Sequence, residues 1–387
     1  MSNYFFDYAS TTPIDEKILK KMYLFDQKYF ANASSIHQIG QESFNFLQEA
    51  RTTIARSLNC QLEEIIFTAS ATESNNLALK GIALAYKAKG KHILVSQIEH
   101  DCILNSALYL KTLGYEIEFL KVNQFGLIDL NNLKAKIRPD TILVSVMTAN
   151  NEIGTINPIK QIGQICKSKN VLFHTDACQA YTKIAIDVVK NNLDLLTLSS
   201  HKIYGPKGVS VLYKKNNVKL IPILHGGEQE NNYRSSTYNL TAIMGLSWAV
   251  TKAFKLQKSE TLKLTHLRDY FITNIVKKIK NIKLNGHPTK RLYNNAHFSF
   301  AGVEGESLLL RLSHYGIYVS TGSACSSKKL TGSYVLKALN LNPYFAHGSI
   351  RFSFGRLTTQ SDIDYLIKIL TQEINFLRQI SPFTKFK

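Results

Sequence analysis

Two neighbouring stretches of the sequence place an acid, a histidine and a lysine where they could act together. "VLFHTDACQA" puts Asp176 directly after an apolar run, and "LLTLSSHKIYGPKG" puts Ser199, His201 and Lys202 directly after the next run. In an open α/β sheet, ligands bind beyond the carboxyl ends of the strands, so we expect these side chains to meet at one edge. A lysine can form a Schiff base with a carbonyl group, and a carboxylate can keep a pyridine nitrogen protonated.

Two further stretches suit an anionic ligand. "TASATESN" offers backbone amides at the start of a predicted helix, and "YRSSTYN" places the hydroxyl of Thr237 beside Arg234. Free amides at a helix N-terminus bind phosphate. A phosphate site, a lysine and a carboxylate together indicate pyridoxal phosphate, although each feature alone is also typical of a surface lysine or a turn-forming aspartate.

The stretch "VSTGSACSSKK" places Cys325 among small and polar residues, where a buried structural cysteine would not be expected. We therefore predict a reactive thiol on a loop. The chain has five cysteines, an odd set with no C-x-x-C pair, which argues against a disulfide framework and against a zinc ribbon. We expect at least one free thiol and no metal site, and we assign Cys60, Cys102 and Cys166 to structural roles.

Seven apolar runs that alternate with helical stretches must position these residues. The runs are "EIIFTA", "KHILVS", "IEFLKV", "TILVSVM", "VLFHT", "DLLTLS" and "VSVLYK". Several are almost continuously apolar and β-branched, as is typical of strands buried on both faces. The sequence therefore predicts an α/β fold with a mostly parallel seven-stranded sheet. Between the first two runs, "TESNNLALKGIALAYKAK" predicts a helix capped by Thr72, and a long helix is predicted over about residues 245–280.

The last hundred residues have a different pattern. Strand-like "NNAHFSF", "IYVS" and "SIRFSFG" alternate with helical "ESLLLRLSHY", "GSYVLKALN" and a closing helix from about Gln360. This pattern is typical of a smaller α+β unit. We predict a large domain over residues 13–258, and a small domain from residues 1–12 and 259–387 that carries the Cys325 loop.

Composition limits the class of protein. With 387 residues and 44% hydrophobic residues, the chain can bury a full core. It has no apolar run of about 18 residues and no secretory or transit pattern near Met1, so we expect a cytoplasmic protein with no membrane contact. The 47 Lys and Arg against 28 Asp and Glu give a net charge of +19. Because the lysines are spread along the chain without a basic and aromatic motif, we do not expect direct nucleic-acid binding.

Many of these motifs resemble a known family. "DACQAYTKIAID" followed by "LSSHKIYGPKG" resembles the cofactor region of the class V, fold-type I pyridoxal-phosphate enzymes. The remaining motifs are similar to those of cysteine desulfurases of the NifS/IscS kind: "DYASTTPID", "FTASATESNNLALKG", "EHDCILNS", "TANNEIGTINPI", "HGGEQENNYRSST", "VEGESLL", "STGSACSS" and "IRFSFGR". The resemblance extends from about Tyr8 to about Ser381.

The resemblance implies a role for each cofactor residue. Lys202 would hold pyridoxal phosphate, Asp176 would pair with the pyridine nitrogen, His100 would stack on the ring and move protons, and Gln179 would bond its phenolic oxygen. The phosphate would be held by the amides of Ala71 and Thr72 and by Ser199, His201 and Thr237, the last from the neighbouring subunit of a homodimer.

The resemblance also implies the reaction. Asn151, which also belongs to the cofactor site, and Arg351 would bind the carboxylate of L-cysteine, since arginine offers a planar two-donor fork. Cys325 would accept the sulfur as a persulfide while L-alanine leaves, and would pass it to an acceptor protein. The loop around Cys325 resembles the longer-loop class of desulfurase, which favours delivery to an iron–sulfur scaffold or a tRNA-thiolation relay.

Four features depart from the family pattern, and several functions stay open. Ala33 stands where proline is usual, and Asn232 and Ser236 stand where glycine is usual, so Ser236 would be strained if it needs positive φ. The chain ends at "SPFTKFK", short of the tail with which the housekeeping group contacts its scaffold protein. The alternatives are a selenocysteine lyase or cysteine sulfinate desulfinase, a plain aminotransferase, and a degenerate paralogue that acts as a basic RNA-binding or scaffold protein.

Overall fold

The computed structural model describes residues 3–321 and 333–381. Its strands in chain order are β1 (Tyr4–Phe5), β2 (Ile65–Thr68), β3 (His92–Ser96), β4 (Glu116–Leu120), β5 (Thr141–Ser145), β6 (Leu172–Asp176), β7 (Leu195–Ser199), β8 (Ser210–Lys214), β9 (Ile282–Asn285), β10 (Asn295–Phe300), β11 (Ile317–Tyr318) and β12 (Ser349–Ser353). Its helices are α1 (Glu16–Lys28), α2 (Gln38–Leu58), α3 (Ala71–Ala85), α4 (Asp101–Thr112), α5 (Leu130–Lys136), α6 (Ile159–Ser168), α7 (Leu240–Lys278), α8 (Gly305–His314), α9 (Tyr334–Ala338), α10 (Pro343–Ala346) and α11 (Gln360–Ile380).

The largest sheet of the described residues has seven strands in the order β2-β8-β7-β6-β5-β3-β4. Strands β7, β6, β5, β3 and β4 pair in parallel, whereas β8 runs antiparallel to both of its neighbours. All seven apolar runs of the sequence form strands of this sheet, and the predicted α/β fold with a mostly parallel sheet is confirmed.

Strand β3 is buried on both sides because helices cover both faces of this sheet. In β3, Leu94 packs into one hydrophobic cluster with side chains of α2, α6 and α7, whereas Ile93 and Val95 pack into a second cluster with α3 and α4. All three side chains are fully buried. Burial of each such aliphatic side chain contributes roughly 1.5–3 kcal/mol to the stability of the fold. The sheet is therefore a stable support for the residues at the ends of its strands.

A second sheet of the described residues has the antiparallel order β12-β10-β9. Its own hydrophobic cluster includes Phe298 and Phe352 from the sheet, Leu308 from α8, Leu370 from α11 and Phe271 from the second half of α7. Strands β1 and β11 form a separate parallel pair. Helix α7 passes without interruption through the predicted domain boundary at residue 258, and that boundary stays a prediction.

Two predicted helix starts are wrong. Helix α3 is capped by Ser70, whose Oγ accepts from the amide of Glu73, and not by Thr72, which lies inside the first turn. Serine and threonine are both good caps, so the composition of "TASATESN" alone does not separate them. Helix α7 begins at Leu240 rather than near residue 245, because the side chain of Asn239 caps it.

Among the described residues, no helix combines the length and the apolar character that a membrane span requires.

Candidate active site

A cavity of about 530 Å³ lies at the carboxyl ends of the strands of the large sheet, with one wall contributed by the second sheet. It brings together most of the site residues that the sequence predicts. Those that line it are Ala71, Thr72, His100, Asn151, Asp176, Gln179, Ser199, His201, Lys202 and Arg351.

Lys202 lies in the short 3-10 turn that follows β7. Its ammonium group donates to the carbonyl of Ala9 at 2.7 Å and to that of Ser10 at 2.6 Å. Burial, followed by the charge of Arg351, lowers the pKa of Lys202 to about 8. About a tenth of the molecules therefore carry Lys202 as a free amine at pH 7, and the free amine is the form that attacks an aldehyde.

Asp176 is the last residue of β6 and is buried. One carboxylate oxygen accepts from Nδ2 of Asn75 at 2.8 Å, and the other accepts from the backbone amide of Cys178 at 2.9 Å. These two donors fix the orientation of the carboxylate, so the sheet edge presents a rigid acid.

His100 and Gln179 are each held by the backbone. His100 caps α4, with Nδ1 accepting from the amide of Cys102 at 3.2 Å. The side chain of Gln179 donates to the carbonyl of Ala9 at 2.8 Å, and this is the same carbonyl that accepts from Lys202. The segment around Ala9 therefore organises two of the predicted cofactor residues at once.

The first turn of α3 lines the cavity and offers backbone donors to it. Ala71 and Thr72 are its first two residues, and their amides have no intrahelical carbonyl to bond. Nearby, Nδ1 of His201 lies 3.1 Å from the hydroxyl of Thr11. Burial, followed by the charges of Lys202 and Lys207, lowers the pKa of His201 to about 4. At neutral pH His201 is uncharged, so the helix N-terminus and the lysines supply the positive potential for an anion.

Arg351 comes from β12 and forms the opposite wall. Its guanidinium donates to the carbonyl of Asn151 at 2.9 Å, to Asp7 at 2.7 Å and to the hydroxyl of Ser10 at 2.7 Å. Within residues 3–321 and 333–381, Nε of Arg351 and Oδ1 of Asn151 are buried without a hydrogen-bond partner. Buried polar atoms without partners are costly, so this pair fits a polar ligand.

Several cavity residues were not predicted as functional. Glu152 follows Asn151 in the motif "TANNEIGTINPI"; its carboxylate accepts from the hydroxyl of Ser333 at 2.6 Å, and burial raises its pKa to about 7. Cys102, which we expected to be structural, also lines the cavity. Its position two residues after His100 in "EHDCILNS" is the signal that could have identified it.

Two predicted residues are not placed in the cavity. Thr237 is exposed and does not line it. Its assignment to a neighbouring subunit stays a prediction. Cys325 lies outside the described residues. Of the departures from the family pattern, Asn232 adopts positive φ (66°), which asparagine tolerates. Ser236 does not adopt positive φ, so the condition under which it would be strained is not met.

Comparison with known proteins identifies similar chains. Residues 4–366 match the family model described as aminotransferase class-V. The cysteine desulfurase IscS of Dictyoglomus turgidum is 47% identical over 379 residues, which cover 98% of this chain and 96% of that protein. A solved structure described as a NifS-like protein has a TM-score of 0.91 at 32% identity and covers 97% of this chain and all of that one. A structure of SspA in complex with cysteine has a TM-score of 0.81 at 34% identity over 91% of this chain and 99% of that one.

Proposed function

Because the chain belongs to the class-V aminotransferase family and, within it, to the cysteine desulfurases of the NifS/IscS kind, we propose that it removes sulfur from L-cysteine. The products are L-alanine and a persulfide on Cys325. One observation supports the proposal: a half-buried lysine, a buried acid, a helix N-terminus and an arginine, to which the resemblance assigns cofactor and substrate roles, line a single cavity.

The cavity fits pyridoxal phosphate. When bound, this cofactor withdraws electrons from the α-carbon of an amino acid joined to it. Lys202 would hold it covalently, Asp176 would face the pyridine nitrogen, and His100 and Gln179 would contact the ring and its phenolic oxygen. The amides of Ala71 and Thr72, with Ser199 and His201, would bind the phosphate. The unpartnered amides at the start of α3 support this assignment.

The substrate would be oriented by Arg351 and Asn151. A carboxylate next to Arg351 would supply the acceptor that its buried Nε lacks among the described residues. An arginine and carboxylate pair is charge-assisted and geometrically specific. This contact would hold the α-carbon within reach of the amine of Lys202, which the low pKa of about 8 makes available as a base.

Sulfur transfer would use Cys325 as the nucleophile. Its thiolate attacks the sulfur of the substrate, so an S–S bond forms as the bond between that sulfur and the β-carbon breaks. The electron pair of the broken bond stays on the carbon fragment, which takes up protons and leaves as alanine. No external oxidant is needed, because the carbon fragment is reduced while the sulfur is oxidised to the persulfide level.

Further assignments accompany this activity. We infer that the protein is a homodimer in which Thr237 completes the phosphate site of the partner, since Thr237 is exposed and lies outside its own cavity. The persulfide would be passed to a sulfur-acceptor protein, either an iron–sulfur scaffold or a tRNA-thiolation relay. We place the reaction in the cytoplasm, where free thiols such as Cys60 and Cys166 persist.

The test is single-turnover chemistry with the purified chain loaded with pyridoxal phosphate. Incubation with L-cysteine should yield alanine and one added sulfur on Cys325 by mass spectrometry. C325A should lose alanine formation and keep the absorbance of the bound cofactor, whereas C60A, at a half-buried cysteine away from the cavity, should behave as the native chain does. A keto acid in place of alanine, or full turnover by C325A, would contradict the proposal.

A further inference from the structure

Cys102 occupies a place in the cavity that the proposed reaction does not use. It is the second residue of α4 and is half-buried. Its Sγ lies 3.1 Å from Nδ1 of His100 and 3.2 Å from Nδ2 of Asn75. The thiol therefore touches the histidine expected to stack on the cofactor and the amide that holds Asp176.

The backbone determines which way the contact with His100 runs. The amide N–H of Cys102 can only donate, and it points to Nδ1 of His100 at 3.2 Å. Nδ1 must therefore be an acceptor, and the proton of the neutral imidazole lies on Nε2. A thiol that approaches the same Nδ1 must also act as a donor, so Sγ–H of Cys102 points to His100.

In its second contact, with Asn75, the thiol is the acceptor. An amide nitrogen can only donate, so Sγ of Cys102 accepts from Asn75, whose Nδ2 also donates to Asp176 at 2.8 Å. The hydrogen bonds then run in one direction, from Asn75 to the sulfur and from the sulfur to His100. The sulfur thus donates its one proton to His100 and accepts from Asn75.

The thiol keeps the proton that this arrangement needs. Burial, and after it the charge of Asp176, raise the pKa of Cys102 to about 12. Hydrogen bonds from the side chains of Asn75 and Thr72 lower this pKa, but they offset the rise only in part. Because the thiolate is the nucleophilic form, Cys102 is a poor sulfur acceptor at neutral pH and a dependable donor.

We propose that Cys102 is a positioning residue: its thiol is a second donor to Nδ1 of His100 that strengthens the Nε2–H tautomer, and it ties the imidazole, through Asn75, to the carboxylate of Asp176. The inference rests on the proposed function, because it assumes that both residues face the cofactor. Removal of the thiol leaves the backbone amide as the one remaining donor of the pair to Nδ1 of His100, so the preference for the Nε2–H tautomer is weaker and the ring loses its link to Asn75.

The experiment compares C102A and C102S with C60A. Cys60 is a matched control, because it is also half-buried and its pKa is also raised to about 12, yet it lies outside the cavity. The first readout is nitrogen NMR of histidine-labelled protein without cofactor, with the signal of His100 assigned by its loss in H100Q. The second readout is kcat for alanine release by the loaded enzyme.

Native protein and C60A should show a protonated Nε2 and an unprotonated Nδ1 at His100. C102A should populate the Nδ1–H form only in part, because the backbone amide still donates to Nδ1, and should lose roughly tenfold in kcat, a fraction of what a well-placed acid-base group supplies. C102S should restore both, because a hydroxyl donates and accepts as the thiol does.

Three results would overturn the inference: an Nδ1–H tautomer in the native protein, a C102A variant that keeps the native tautomer and rate, or a C102S variant as impaired as C102A. The NMR readout needs neither cofactor nor turnover. A native chain that releases no alanine would therefore defeat the proposed function while leaving the tautomer result to be judged separately.

Discussion

The two walls of the cavity are built in different ways. On the wall formed by the large sheet, the functional groups come from the ends of strands and helices: Asp176 ends β6, Lys202 follows β7 and Ala71 begins α3. The opposite wall takes Arg351 from the middle of β12, paired with His297 of β10. Short spacing along the chain therefore places the groups of the sheet wall at the cavity, although distant segments also orient Lys202 and Asp176. The Arg351 wall is assembled by contacts between segments hundreds of residues apart.

The two walls suit different chemical tasks. Groups at strand and helix ends carry unpaired backbone donors and sit where a sheet opens, so they suit a tightly held cofactor. Arg351 instead bonds Asp7, Ser10 and the carbonyl of Asn151, which belong to distant segments. A substrate group bound at Arg351 would therefore contact a surface that several distant segments form together.

The largest expected effect is at Lys202, on the sheet wall. K202A should lower alanine release by at least about 10³-fold, because it removes both the covalent attachment and the base. Borohydride reduction of the native loaded protein should fix the cofactor on Lys202 and not on Lys183, whose pKa burial also lowers to about 8. Peptide mapping that finds the label on Lys183 would show that the sheet wall is misassigned.

A smaller effect is expected at the opposite wall. R351K keeps the charge but loses the two-donor fork, so KM for L-cysteine should rise about 10- to 100-fold while cofactor absorbance is unchanged. R356K is the matched control, because Arg356 pairs with Asp15 and Glu260 and does not line the cavity. If R351K instead lost the cofactor and kept KM, the division of tasks between the walls would be wrong.

The pH dependence of cofactor uptake sharpens the account of Lys202. Burial and Arg351 lower its pKa from 10.5 to about 8, so the free amine grows as pH rises and reaches half near 8. The rate of pyridoxal-phosphate incorporation into cofactor-free protein should therefore rise from pH 6 and level off above about pH 9. A lysine in a short peptide, with its ordinary pKa, should still react faster with each rise in pH above about 9. If the protein showed the same pH dependence as the peptide, the lowered pKa of Lys202 would be refuted.

The smallest effect is expected at the start of α3. S70A removes the side-chain acceptor for the amide of Glu73 and should lower the free energy of unfolding by about 1 kcal/mol, measured with urea on cofactor-free protein. T72A tests the position that the sequence indicated and should cost less, since Thr72 lies inside the helix. A larger loss in T72A than in S70A would reverse the assignment of the cap.

Much of the sheet wall is readable from the sequence because strand period and strand ends are local signals. Asp176 and Lys202 follow buried runs directly, and both reach the cavity as predicted. The prediction of Thr72 as the cap of α3 was wrong because backbone geometry, rather than residue type, decides which of two suitable residues caps a helix. Arg351 was identified through family resemblance, since no local pattern connects a residue in "SIRFSFG" with one in "DYASTTPID".

The seven strands, their mostly parallel arrangement and the acid and lysine at their ends can be predicted from the sequence, because hydrophobic periodicity acts over a few residues. The groups that meet in the cavity from distant segments are known from the fold alone: Glu152 with Ser333, Arg351 with Asp7, and Cys102 between His100 and Asn75. Burial and hydrogen bonding depend on the neighbouring elements in three dimensions, and folding brings together groups that no spacing along the chain relates.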